Sequence, residues 1–381
     1  SLITHTTLAS TCEAYVFNIV LRDIQSKMVK FIVAIIVILT ATTSVFVQAG
    51  NVRGENVEEP IVVKAPAGSD DLFIGTNNKK HKTDLYEDKP FLKAPKASTF
   101  PKLASRLILR RGYKFTIKTE TPIKITFNPC GIFKEMMVND DGICGVKQAV
   151  DVTSDWKVKA LKEENMYALT SPANAAVGVY TLGEKHEFVL LYNPFKSGSA
   201  VYQRNSHYVL EDKSMIYQGV SDDHEGHIWH VDQFRGLNLI VALRLLRHLT
   251  MEQREQVHVV ARHLTFAIGD EVCYGKWGDG AYTSGKPSGG YRCAKGKKGP
   301  WYSKCHDPSE HTGTSELLEY YYGLLQARQP TSVQYCQCFV YAGVTTTIGR
   351  ALGIPTRMIT TFQSAHDTNG DRSMSKFYEI N

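Results

Sequence analysis

The sequence lacks the features that mark several large protein classes. No long stretch carries one sign of charge: 44 basic residues against 38 acidic ones leave +6 over 381 residues. The one basic knot runs from Lys295 to Lys298, so a nucleic-acid partner is not expected. No pair of cysteines has metal-ligand spacing. With 43% apolar, 10% aromatic and 22% charged residues, the composition excludes collagen, a coiled coil, a polytopic membrane protein and wholesale disorder. What remains is a globular chain with room for about two and a half domains of roughly 150 residues.

The first signal in the chain is Met28, then Lys30 and an apolar run from Phe31 to Leu39 that continues through TATTSVFVQA to Gly50. A basic residue, an apolar stretch and compact residues at Val47 and Ala49 have the order of a secretory signal cleaved after Ala49. A buried core helix or a membrane anchor over 31–49 are the alternatives, and the TATTS interruption weakens an anchor. On this reading 1–27 is a translated leader, 28–49 is the signal peptide and the protein is secreted.

Secretion permits disulfides. Cys12 lies ahead of the signal, so the cysteines of the mature chain are 130, 144, 273, 293, 305, 336 and 338. Cys130 and Cys144 bracket one polar Gly-containing segment and Cys293 and Cys305 another, which makes two local bridges plausible. Cys273, Cys336 and Cys338 are left over, and at least one of them is a thiol or shares a partner.

Residues 50–101 are rich in Pro, Lys, Asp, Glu and Asn without periodicity and read as a disordered arm. From Arg106 to about Gln218 short apolar segments alternate with Gly, Pro and Asn turns, the pattern of an antiparallel sandwich. After SDDHEGHIW the period becomes helical: Phe234, Leu237, Ile240, Val241 and Leu245 share a face over 233–246, and Thr250 with Gln253 forms a capping box opening the next helix. A Gly-rich excursion over 277–313 precedes the helical SELLEYYYGLLQ.

The segment SVQYCQCFVYAGVTTTIGRALGIPTRMITTF carries the chemistry. It predicts a helix from about Gln337 to Leu352, stopped by Gly353 and Pro355, and a strand over 356–362. Cys338 then stands in the first turn of the helix, where unpaired N–H groups favour a thiolate nucleophile. Position alone leaves open a small buried hydrophobe.

The string YCQCFVYAG followed by LGIPTRMITTFQSAHDTNGD resembles the active-site region of the animal transglutaminases, especially the invertebrate type, whose pattern is Y-G-Q-C-W-V-F-A-G and then L-G-I-P-T-R-V-V-T-N-F-x-S-A-H-D. Upstream, LRRGYKFTI, LLYNPF and HYVLED resemble the family's N-terminal region. Trp229, Gln233 and Phe234 match its W-x-x-x-Q-F, and YGKW matches its G-x-W. The resemblance covers about Leu103 to Asn381.

It implies an α+β chain: an immunoglobulin-like β-sandwich over 102–220, then a papain-like, cysteine-proteinase-type catalytic core over 228–381, incomplete and interrupted by an insertion at 278–313. The implied activity is calcium-dependent acyl transfer from a protein glutamine to lysine or another primary amine. Cys338 is the implied nucleophile and Trp277 an indole donor to the oxyanion, while the histidine and aspartate of the triad fall beyond Asn381, so the chain as it stands is expected to be inactive. His366, in S-A-H-D, is expected to have no catalytic role. Asp367, Asn369, Asp371 and Ser373 place oxygen side chains at every second residue around Gly370, which suits Ca2+ and equally a solvated turn; the match to the family's calcium stretch implies the Ca2+ site. The partners implied are proteins bearing reactive Gln and Lys. A non-enzymatic family scaffold and a papain-fold thiol hydrolase or deamidase are the alternatives.

Three departures stand out. Only Asp270 and Glu271 remain where the family has an N-D-D-rich calcium segment, so that site is doubtful. Phe339 replaces Trp after the nucleophile, a tolerable volume change. Cys336 replaces Gly; it could pair with Cys273, cap Cys338 or be a buried bystander thiol.

Overall fold

The computed structural model describes residues 71–88, 103, 106–131, 147–150, 152, 155–183, 186–274, 312–326, 333–334 and 336–362. The leader, the signal segment and nearly all of the 278–313 insertion therefore lie outside the described residues.

Two sheets organise the first half of the described chain. One contains β1 (Leu107–Arg110), β3 (Ile125–Phe127), β4 (Gln148–Val150), β7 (Gly178–Leu182) and β8 (His186–Leu191), in the order β1-β8-β7-β3-β4. The other contains β2 (Lys114–Lys118), β5 (Lys157–Ala160) and β6 (Met166–Thr170), in the order β2-β6-β5. In β2 the two-residue period sends Phe115 and Ile117 inward and leaves Lys114 and Lys118 in water. Those two residues and Leu169 share a core with Leu107, Leu109, Phe127, Tyr180, Phe188 and Leu190 of the larger sheet. Trp156 joins them, edge-on to Phe115, Tyr180 and Phe188 at 6.0–6.2 Å.

The other face of the larger sheet is buried as well. Ile108, Val179, Val189 and Leu191 belong to a second core built with the helices. Being covered on both faces, β1 and most of β8 read as continuous apolar runs. The larger sheet is thus the middle layer of an α+β molecule. Its ladders and those of the smaller sheet are antiparallel except for β1 on β8, which is parallel from Leu107 opposite Phe188 to Arg110 opposite Leu191. That corrects the expectation of a purely antiparallel pattern: with six strands between them in sequence, no hairpin dictates the orientation of β1 and β8.

The disordered arm expected over 50–101 is corrected at 71–88, which folds around α1 (Ile74–His81). Its polar residues stand in for missing neighbouring strands. Asn77 donates to Thr116 O at 2.7 Å and accepts from Thr116 N at 3.1 Å, so its amide pairs with the edge of β2. Along β1, Asn78 accepts from Ile108 N at 2.9 Å and donates to Arg106 O, Thr83 donates to Ile108 O at 2.6 Å, and His81 Nδ1 accepts from Arg110 N at 2.8 Å. One polar segment thereby satisfies backbone groups along one edge of each sheet, β1 and β2.

The second half begins with a short helix, α2 (His207–Leu210), inside a segment that reads as strand, followed by the hairpin β9 (Lys213–Val220) and β10 (Asp223–His230). Then come α3 (Gly236–Leu245), α4 (Met251–Glu255), α5 (Val257–Ala267), a π-turn over 268–272 and β11 (Cys273–Tyr274). The expected capping box opens α4: Thr250 Oγ1 accepts from Gln253 N and Gln253 Oε1 from Thr250 N. Helix α6 (Thr314–Gln326), β12 (Val333–Gln334) and α7 (Cys338–Ala351) complete the described chain. Buried on almost every side, α3 is the central helix against which α6 and α7 pack. No helix among the described residues is long and apolar enough to cross a membrane.

Gly353 ends α7 with φ +87°, as expected, but the strand expected over 356–362 does not form. Thr356 N donates to Tyr208 O at 3.0 Å and Thr360 Oγ1 accepts from Tyr217 N at 3.3 Å, so the segment passes α2 and β9 on isolated bonds without a ladder.

Candidate active site

Cys338 is the first residue of α7, preceded by Gln337 in an extended conformation (φ −83°, ψ 173°) that contributes no side-chain cap. The Cys338 residue is exposed, at the end of a 14-residue helix where backbone N–H groups lack intrahelical acceptors. Such a setting favours thiolate over thiol.

The helix is held by its buried face and by three braces. Val340, Val344, Ile348 and Ala351 enter the core. At Gly343 the Trp229 indole lies directly on the helix backbone, where a Cβ would overlap its ring. Trp229 Nε1 donates to Thr314 Oγ1 at 3.0 Å, and Thr347 Oγ1 lies 2.7 Å from both that oxygen and Val231 O. These contacts tie β10, α6 and α7 together. Phe339 stands edge-on to Trp229 at 6.4 Å, filling the place where a larger ring was expected.

The second brace is at the far end. Arg350 Nε donates to Thr356 O at 2.8 Å and Nη1 reaches Glu211 O; burial lowers its pKa to about 10. Gln233 holds the same stretch by donating to Val209 O and Glu211 O. Tyr86 donates to Ala351 O at 2.6 Å and packs edge-on to Phe234, linking the folded arm to the end of α7. Trp229, Gln233 and Phe234 are therefore framework residues of the site.

The third brace is covalent. Cys336 forms a disulfide with Cys273, their Cα atoms 5.4 Å apart and both residues buried. Of the three roles open to Cys336, pairing with Cys273 is the one the fold adopts. Beside the bridge β11 and β12 run parallel over two residue pairs, and Tyr341 donates to Cys273 O at 2.9 Å. Cys130 is also disulfide-bonded; Cys144, its expected partner, lies outside the described residues, as do Cys293 and Cys305.

Glu271 is committed elsewhere. Arg247 Nη1 approaches it at 2.8 Å and His248 Nε2 at 3.7 Å, while Tyr321, whose hydroxyl burial pushes up to about 12, donates to it at 3.4 Å. The arginine beside this carboxylate offsets much of its negative charge. Among the described residues no three His, Cys, Asp or Glu side chains converge on a metal position. Trp277, His366, Asp367, Asn369, Asp371 and Ser373 lie outside the described residues.

Sequence reasoning missed Thr314, Thr347, Tyr341 and Gly343. A faint signal existed: a glycine and a run of three threonines are poor choices inside a helix, so each hints at a neighbour that needs it.

The helix that opens on the exposed Cys338 is thus buttressed by a three-layer α+β framework. Residues 69–186 match the family described as Transglut_N, Transglutaminase family. Protein-glutamine gamma-glutamyltransferase 4 of Rattus norvegicus is 28% identical over 286 residues, 69% of this chain and 38% of the relative. Protein-glutamine gamma-glutamyltransferase 5 of Homo sapiens is 30% identical over 233 residues, 56% of this chain and 30% of the relative. The crystal structure of red sea bream transglutaminase superposes with a TM-score of 0.54 at 21% identity, covering 75% of this chain and 42% of that one, and shows the shared fold. Residues 69–186 carry the N-terminal domain of the transglutaminase family, and the chain as a whole is similar to protein-glutamine gamma-glutamyltransferases. It spans well under half the length of these relatives.

Proposed function

We propose that the protein this chain belongs to is a secreted, calcium-dependent, protein-crosslinking transglutaminase with Cys338 as its nucleophile. The observation that carries the reading is the placement of Cys338: an exposed residue at the start of a buried helix, in the one segment that matches the family's active-site pattern.

In this mechanism the Cys338 thiolate attacks the carboxamide carbon of a protein glutamine. The tetrahedral intermediate expels ammonia to leave a thioester, and a lysine amine opens it to give an isopeptide bond. The Cys338 backbone N–H and the Trp277 indole N–H donate to the oxyanion; loss of one such donor costs about 3 kcal/mol of barrier. The proposed layout is an immunoglobulin-like sandwich over 102–220 and a papain-like core from 228. Asp367, Asn369, Asp371 and Ser373 would hold Ca2+ through oxygens suited to a hard cation, fixing the chain that follows α7. The disulfides at Cys130 and between Cys273 and Cys336 support an oxidising, extracellular location.

The test is incorporation of a labelled primary amine into a glutamine-rich protein by the full-length product, with and without calcium. Calcium-dependent incorporation that Cys338→Ala abolishes is expected. Release of ammonia without amine incorporation would point to a deamidase, and neither product, with Cys338 alkylatable, would sink the enzymatic reading.

A further inference from the structure

We propose that Cys273 and Cys336 are positioning residues for Cys338: their disulfide clamps the start of α7 to β11, so the reactivity of the Cys338 thiol follows the redox state of that bond. The inference deepens the proposed function, since it takes Cys338 as the nucleophile.

Four observations converge on the clamp. Cys336 lies two residues before Cys338 and is buried with Cys273, so the bridge acts on the backbone that delivers the nucleophile. The helix start has no side-chain cap, so no local device of that kind fixes its first turn. Among the described residues the noncovalent links at this junction include a parallel ladder of two residue pairs, Cys273 with Val333 and Tyr274 with Gln334, the hydrogen bond from Tyr341 to Cys273 O, and the shared core packing of Cys273, Cys336 and Val340; the bridge is the covalent one. Finally, the bridge closes a sequence separation of 63 residues, so the whole excursion between β11 and β12 starts and ends at this clamp. The family pattern has glycine where this chain has Cys336, which makes the clamp a property of this sequence.

The chemistry is a two-electron exchange with a dithiol. One thiolate of the dithiol attacks a sulfur of the bridge, giving a mixed disulfide and releasing one cysteine. The second thiolate then displaces the other cysteine, so Cys273 and Cys336 end as thiols and the dithiol ends as a cyclic disulfide. Cys338 is not consumed. Freed from the clamp, the first turn of α7 frays and Cys338 loses the ordered N–H groups that favour its thiolate.

The experiment measures iodoacetamide alkylation of Cys338 between pH 5 and pH 9 on the full chain, with each cysteine resolved by peptide mass spectrometry. Protein purified without reductant is compared with protein treated with dithiothreitol and with Cys273→Ala/Cys336→Ala. The untreated protein should yield the linked 273–336 peptide. Reduction should slow Cys338 alkylation at pH 7 by about tenfold and move its pH midpoint upward, with far-UV circular dichroism retained. The double variant should hold the slow rate whether or not dithiothreitol is added. If that variant fails to fold, reoxidation of reduced wild type decides: return of the fast rate supports the clamp and persistence of the slow rate overturns it. An unchanged or faster Cys338 rate after the bridge opens overturns it, as does recovery of Cys273 and Cys336 as thiols from protein never exposed to reductant. Alkylation needs no acyl transfer, so failure here is distinct from failure of the amine-incorporation test.

Discussion

The Trp229 indole rests on the bare backbone of Gly343, so close that a single methyl at residue 343 would fall inside the ring. Glycine within a helix costs about 1 kcal/mol relative to alanine, yet here it permits the approach that lets Trp229 Nε1 reach Thr314. The nucleophile helix is seated by this contact.

Gly343→Ala is accordingly expected to destabilise the protein despite its better helix propensity. Overpacking of this kind costs about 1–3 kcal/mol, and a urea-unfolding midpoint below that of wild type is the readout. An equal or higher midpoint would show that Trp229 can move aside.

The Cys273–Cys336 bridge closes a loop across a sequence separation of 63 residues. The chain-entropy account assigns such a loop about 4 kcal/mol. Unfolding in urea with and without dithiothreitol should show the reduced protein less stable, and coincident curves would contradict the bridge.

His81 gives stability a pH dependence. Its Nδ1 accepts from Arg110 N at 2.8 Å and its Nε2 faces Lys114 O at 3.3 Å, so the ring fits as a neutral imidazole with hydrogen on Nε2. Burial is the main cause that lowers its pKa from 6.5 to about 4. Because the folded pKa is depressed, the unfolded chain takes the proton first. This contribution is complete above pH 6.5 and is lost as pH falls from there to about 4, up to about 3 kcal/mol. Urea midpoints at successive pH values should fall across that window for wild type and stay flatter for His81→Gln, which starts from a lower midpoint at pH 7.

Tyr86 ties the folded arm to the end of α7 through its bond to Ala351 O at 2.6 Å. Tyr86→Phe keeps the ring against Phe234 but strands a buried carbonyl, which costs about 1–3 kcal/mol. Thermal unfolding should register the loss, and an unchanged melting temperature would mean that the carbonyl finds another donor.

The site and the fold were legible to different degrees. Helix α7 could be read closely because its signals are local: the apolar spacing through Val340, Val344 and Ile348, and Gly353 as the left-handed stop. The box at Thr250 and Gln253 was legible for the same reason. The arm around Asn77 and Asn78 was not, because its composition is that of a solvated segment. Those amides bond to β1 and β2, strands far along the chain, and composition carries no trace of such partners. The parallel pairing of β1 with β8 was hidden for a similar reason, since orientation between distant strands has no turn to announce it.

By itself the sequence determined that a cysteine would open a helix within a transglutaminase-like segment, because capping, periodicity and motif are properties of neighbouring residues. Only the tertiary structure decided that Cys336 pairs with Cys273, that Glu271 belongs to Arg247, and that Gly343 exists for Trp229. Each of those facts depends on which distant atoms share a few ångströms of space, and that is set by packing between elements far apart in the chain, which neighbouring residues do not encode.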